Sequence, residues 1–154
     1  MRFMTLMIPG GYESAQPGVM PPAEQVAAMM AYNIELQKAG VLLSTEGLHP
    51  PATSARVSFA GSQPQVRHGP FAETRETLGG FWMIDVASQD EAIAWARRCP
   101  AAANEVIEVR RVQEMEDFPP DIQKAAAGFT EMRTLSPKPR LRLLRPVQRS
   151  GKPP

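Results

Sequence analysis

The sequence predicts one α+β domain in a split β-α-β arrangement. Its antiparallel sheet carries two helices on one face and a hairpin inserted midway. Three observations predict it. Short apolar runs bounded by turn residues recur at 2–8, 41–48, 80–86 and 105–112. Stretches with helical periodicity follow the first and third of these runs. Between the second and third, alternating segments at 55–59 and 65–68 flank Gly61-Ser62, a hairpin pattern.

The elements follow in order. Residues 2–8 end at Pro9-Gly10-Gly11 and are apolar on both faces: Phe3, Thr5 and Met7 alternate with Met4, Leu6 and Ile8. Residues 12–20 are a Gly-, Pro- and Ser-rich loop. Pro21-Pro22 then opens a helix with Glu24 in its first turn, where the macrodipole favours an acid. Val26, Met29, Met30, Ile34 and Leu36 are expected on one face, with Asn33 inside that arc as a structural amide. Gly40 is a natural stop. The second strand closes at His49-Pro50-Pro51. Phe81 and Met83 alternate with Trp82 and Ile84 in the strand 80–86. Ser88 and Glu91 have capping-box spacing, and the helix they open stops at Pro100. A last strand spans 105–112, and Pro119-Pro120 precede a peripheral helix expected over 121–135.

Two helices cover one face of such a sheet, yet its central strands are apolar on both. A twin sheet is the economical cover for the second face, so the residues point to a homodimer.

Composition narrows the class. The chain has 154 residues and a single cysteine, Cys99, so no intramolecular disulfide is available. No metal-ligand spacing, phosphate loop or nucleophile elbow is present, and no cofactor is expected. No segment approaches a membrane span and no secretory leader is visible, which points to a cytoplasmic protein. The net charge of +1 is unevenly spread. Residues 1–132 hold ten basic and sixteen acidic residues, and residues 133–154 hold seven basic residues and no acid. Prolines at 137, 139, 146, 153 and 154 make 136–154 an extended basic tail. Without aromatic interleaving it is a weak nucleic-acid signal, and folding back on the acidic body is the simpler expectation.

One motif is specific. His68-Gly69-Pro70-Phe71-Ala72-Glu73-Thr74-Arg75-Glu76, followed by Gly79-Gly80-Phe81-Trp82, resembles the YCII-related family and its DGPF branch. Ala39-Gly40-Val41-Leu42-Leu43, Glu46-Gly47-Leu48-His49-Pro50 and Asp90-Glu91-Ala92-Ile93-Ala94-Trp95 agree with it, and the likeness covers about 1–118. The resemblance implies a ferredoxin-like domain of the dimeric α+β barrel kind, with a cleft at the dimer interface. It implies no single reaction: one relative is a dehydrochlorinase, and others are encoded beside sigma factors. Some members carry a His–Asp pair as a proposed active site, but the first helix here has no histidine to supply it. His68 stands where the branch has Asp.

The candidate catalytic residues are His49 and Asp85. His49 ends a strand, and imidazole changes charge near neutral pH. Asp85 is a carboxylate in an otherwise apolar strand, where it must be paired or reach solvent. Strand parity groups His49 with Thr45 and Gly47, expected on the face away from the helices. Glu46, His68, Glu73, Arg75, Phe81 and Trp82 are candidate ligand-binding residues. His68 has a structural alternative as a turn former. Two functions stand open: a small-molecule lyase or isomerase using acid/base chemistry, and a non-catalytic ligand-binding or regulatory module linked to transcription.

Overall fold

The computed structural model describes residues 1–18, 20–71 and 76–126. The chain divides into two units, Met1–Val112 and Gln113–Pro154. In the first, strands β1 (Arg2–Ile8), β2 (Leu42–Gly47), β5 (Gly80–Asp85) and β6 (Val106–Arg111) form an antiparallel sheet in the order β2-β5-β1-β6. Helix α1 (Ala23–Lys38) links β1 to β2, and α2 (Gln89–Ala96) links β5 to β6. Strands β3 (Ala55–Ser58) and β4 (Gln65–His68) make a separate hairpin inside the β2–β5 connection. This is the ferredoxin-like order with an insertion.

The local signals act largely as the residue types dictate. Helix α1 starts after Pro22, and Gly40 takes φ 72° just past its end. Ser88 caps α2 by accepting a bond from the Glu91 amide at 3.2 Å. The Glu91 carboxylate reaches back to the Ala87 amide at 2.9 Å, one residue earlier than a standard capping box requires.

The core lies between the sheet and the helices. Phe3, Met7, Tyr32, Leu36, Trp82, Ile84, Val86 and Ala92 are its buried cluster. Tyr32 and Trp82 meet edge to face with centroids 5.7 Å apart, a favourable aromatic geometry. The Tyr32 hydroxyl donates to the Trp95 carbonyl at 3.0 Å, and burial raises its pKa. The Trp82 indole donates to the Asn33 side-chain oxygen at 2.7 Å, giving the amide in the helix arc its partner. The buried face of α1 is therefore centred on Met29, Tyr32 and Leu36. Val26, Met30 and Ile34, expected there, are instead 40%, 50% and 48% exposed. The hydroxyl and amide of Tyr32 and Asn33 find partners below the helix, and that rolls the purely aliphatic stripe outward.

Strand register separates the two sheet faces. Phe3 faces Ile84 and Thr5 faces Trp82 across β1 and β5; Met4 faces Met83 and Leu6 faces Phe81. The first set packs under the helices. The second forms the other face with Glu108 and Arg110 of β6 alongside. The register of β2 shifts between Leu42 and Ser44, a bulge that leaves Leu43 52% exposed. Leu42 then lies opposite Ile84 and Thr45 opposite Trp82, while Glu46 lies opposite Phe81. Without the bulge, Leu42 and Glu46 would share a face and the carboxylate would enter the core. The expected parity of Thr45 and Gly47 is thus reversed: both belong to the helix-side set.

In the second unit Glu114 and Asp117 cap a 3-10 turn, Met115–Asp117. Helix α3 spans Pro120–Ala125, and the Gln123 side chain donates to the Phe118 carbonyl at 2.7 Å. The remainder of the helix expected over 121–135, from 127 onward, and the whole basic tail lie outside the described residues. Among the described residues no helix is long and apolar enough to cross a membrane.

Asn33→Leu should strand the indole N–H of Trp82 and cost about 1–3 kcal/mol. In a Trp82→Phe background the same change should cost less than half as much, because the donor is already gone. Thermal unfolding of the four proteins checks this, and equal losses in both backgrounds would contradict it.

Candidate functional site

The inserted segment builds a groove. Past the end of β2, the Leu48 amide donates to the Gly79 carbonyl at 2.8 Å, and the Gly79 amide donates to the Met7 carbonyl at 2.9 Å. These bonds hold residues 48–54 beside residues 76–79. A Cβ on Gly79 would lie 2.5 Å from the Pro9 ring, and one on Gly80 would lie 2.8 Å from the Glu46 carbonyl oxygen. Side chains are excluded there by contact. The Tyr12 hydroxyl donates to the Leu48 carbonyl at 2.6 Å and ties the loop after β1 to the same place.

The motif segment completes the groove. The Gly69 amide donates to the Ser54 carbonyl at 2.8 Å, and Gly69–Pro70 is a cis peptide. A Cβ on Gly69 would stand 1.7 Å from the Pro51 carbonyl oxygen, so only glycine fits. Phe71 follows and is 5% exposed. The guanidinium carbon of Arg56 sits 4.1 Å from its ring centroid and that of Arg67 sits 5.4 Å away, both within cation–π range. Arg56 and Arg67 are direct cross-strand partners in the hairpin.

The resulting groove has a volume of about 640 Å³. Leu48, His49, Pro51 and residues 53–56 line one part, and Phe71, Glu76, Thr77 and Leu78 line the rest. His49 and Glu76 are exposed side chains within it. Thr77 is only 9% exposed, and its hydroxyl oxygen is buried without a hydrogen-bond partner. The Thr53 and Ser54 hydroxyls already donate to the Pro50 and Pro51 carbonyls at 3.0 and 2.8 Å. Among the described residues no group of three or more His, Cys, Asp or Glu is placed to hold a metal ion.

The expected site residues separate. His49 lies in the groove. Asp85 ends β5 and accepts an ion pair from the Met1 amino group at 3.0 Å. Gly47, two residues before His49, pairs with Gly80 at the opposite end of that strand. Five residues of strand put about 17 Å between those ends, so Asp85 and His49 do not meet within one chain. Glu46 and Phe81 are neighbours on the sheet face away from the helices. Trp82 is 5% exposed in the core, committed to Asn33 and Tyr32 rather than turned to a ligand. His68 is exposed on β4 opposite Ala55, a strand position rather than a turn. Glu73 and Arg75 lie outside the described residues.

Arg56, Glu76 and Thr77 were not singled out by their sequence context. The hairpin offered the one usable signal: centring it on Gly61-Ser62 places Arg56 opposite Arg67. Thr77 has no local signature, because its burial depends on chain segments distant in sequence.

Sheet order, helix placement and the inserted hairpin define a ferredoxin-like α+β domain with a groove at one end of its sheet. The chain belongs to the YCII-related family, whose domain model matches residues 1–116. It is also similar to a protein of Rhizobium meliloti (strain 1021) that is named only as uncharacterized. The two are 43% identical over 60 residues, which are 39% of this chain and 48% of the relative. The match thus spans about half the length of that relative.

Gly69→Ala should destabilise the domain by about 3 kcal/mol and lower its melting temperature by about 10 °C. His68→Asp, on an exposed strand position, should stay within about 0.5 kcal/mol of the parent. Calorimetry of both variants checks the pair, and a Gly69→Ala protein that melts like the parent would contradict the close contact with Pro51.

Proposed function

We propose that this protein is a lyase or isomerase that moves protons on a small organic molecule in the His49 groove. One observation carries the reading: an exposed imidazole and an exposed carboxylate line the same groove, whose 640 Å³ suits a small-molecule ligand. Isomerisation by proton transfer needs a base at one carbon and an acid at another. Elimination needs a base for the proton and an acid for the leaving group. His49 and Glu76 supply one group for each role. Leu48, Pro51 and Leu78 give the carbon skeleton apolar contact.

The same reading includes a homodimer formed through the sheet face that carries Met4, Leu6, Phe81 and Met83. Its support is that Met4, Phe81 and Met83 are half-buried on the face opposite the helices, bordered by Glu46 on one side and by Glu108 and Arg110 on the other. An apolar strip with a charged rim is the composition of an interface. Glu46 and Phe81 stand at the end of this face next to the β2 terminus that leads to His49, so a partner sheet would close the groove from one side.

Incubation in D2O with small carbon acids, neutral and anionic, tests the chemistry by proton NMR. The wild type should exchange a substrate C–H for deuterium, and His49→Gln should slow that exchange about 100-fold or more. Ligand-induced shifts without exchange by any compound would replace the enzyme with a non-catalytic binding module. Sedimentation tests the assembly: wild type should run as a dimer, and Met83→Glu as a folded monomer. A wild-type monomer at every concentration would remove the interface.

A further inference from the structure

We infer that the groove takes a ketone or an aldehyde, with the carbonyl oxygen met by the Thr77 hydroxyl. The inference rests on the acid/base reading of the groove. It names the substrate class and a further residue that touches the substrate.

Among the described residues, three hydroxyl side chains line the groove: Thr53, Ser54 and Thr77. Two already have partners. Thr53 donates to the Pro50 carbonyl at 3.0 Å and Ser54 to the Pro51 carbonyl at 2.8 Å. Thr77 differs. The residue is 9% exposed, and its Oγ1 is buried with no hydrogen-bond partner. A buried hydroxyl left unpaired destabilises a fold, and such groups are rare in native structures. Because Thr77 lines the groove, a ligand oxygen seated there supplies the missing partner. No hydrogen bond holds the hydroxyl where it is. Turning it about Cα–Cβ to another staggered position, to meet that oxygen, therefore breaks none.

The neighbours of Thr77 decide what kind of oxygen this is. Glu76 precedes it, Leu78 follows it, and both line the groove with His49. An oxygen held at Thr77 thus sits beside the two exposed groups that the acid/base reading employs. A base removes a proton from carbon only where an adjacent group takes up the electron pair left behind, and a carbonyl does this. A ligand hydroxyl could also pair with Thr77, but it acidifies no neighbouring C–H.

The step balances with groups already in the groove. His49 or Glu76 takes a proton from the carbon next to the carbonyl. The C–H pair becomes the C=C bond, and the carbonyl π pair moves onto oxygen. That oxygen, now an enolate, accepts from the Thr77 O–H a stronger bond than the neutral carbonyl did. Return of a proton to carbon restores the carbonyl and the base.

Acetophenone tests this, having one carbonyl, exchangeable methyl protons beside it and no charge. Thr77→Val keeps the side-chain shape and removes an unpaired polar atom, so it should melt no lower than the wild type. It should nevertheless bind acetophenone about fivefold to tenfold more weakly in an NMR titration, whereas Thr77→Ser should keep most of the binding. The infrared carbonyl stretch of bound acetophenone should fall in the wild type and in Thr77→Ser, and stay put in Thr77→Val. Methyl exchange in D2O should slow about 100-fold in Thr77→Val. A Thr77→Val protein that unfolds, or melts below the wild type, would show that the hydroxyl already has a partner in the fold and overturn the inference. So would an absence of acetophenone binding below about 10 mM, or a carbonyl stretch indifferent to Thr77→Val. The two readings fail separately. Exchange lost in His49→Gln but unchanged in Thr77→Val would remove the carbonyl seat and leave the acid/base reading standing. A Thr77-dependent carbonyl shift, with no exchange into any compound, would do the reverse.

Discussion

The structure depends on glycine contacts that let separate backbone segments touch. Gly79 lies against Pro9, Gly80 against the Glu46 carbonyl, and Gly69 against the Pro51 carbonyl. Each contact closes a space in which a methyl group would collide. Together with the bonds from Leu48 to Gly79 and from Gly69 to Ser54, they fasten the inserted segment to the end of the β2–β5 pair. His49, Thr77 and Arg56 come from three parts of the chain, and these contacts bring them to one groove. The glycines of the His-Gly-Pro-Phe and Gly-Gly-Phe-Trp motifs are thus explained by geometry.

The frame beneath has its own constraint, the allocation of each side chain to one of two faces. The bulge at Leu43 is the adjustment that lets Leu42 pack beneath the helices while Glu46 stays on the opposite face. On β5, Trp82 and Ile84 serve the core, whereas Phe81 and Met83 serve the other face. The bond from Trp82 to Asn33 joins β5 to the buried side of α1. With the Tyr32 hydroxyl bond to Trp95 and the burial of Tyr32 and Leu36, it goes with the exposure of Val26, Met30 and Ile34.

Much of this frame was legible in the residues. The strand 2–8, the Pro22 helix start, the Gly40 stop, the Ser88 cap and the hairpin around Gly61 all follow from local propensity and spacing. What was not legible depends on long-range register. A one-residue bulge has no sequence marker here, and it reversed the parity assigned to Thr45 and Gly47. The apolar run of strand five required Asp85 to be paired or to reach solvent, and it does both at the strand end, beside the amino terminus. At the site, His49 was visible because a side chain expected at a strand end can reach a cleft and imidazole changes charge near neutral pH; the strand itself stops two residues earlier, at Gly47. Arg56, Glu76 and Thr77 gain meaning only when the insertion folds back, which no periodicity encodes.

The central claim is that the functional site is the groove made by the insertion, on a ferredoxin-like frame that serves to hold it. Amide chemical-shift mapping of the isotope-labelled protein during titration with small carbon acids, neutral and anionic, tests it most directly. The account predicts that shifts concentrate at His49, Ser54, Arg56, Phe71 and Thr77. It also predicts that Met4 and Met83, on the sheet face away from the helices, hold their positions. Shifts concentrated on Met4, Leu6 and Met83, with the groove amides unmoved, would contradict it.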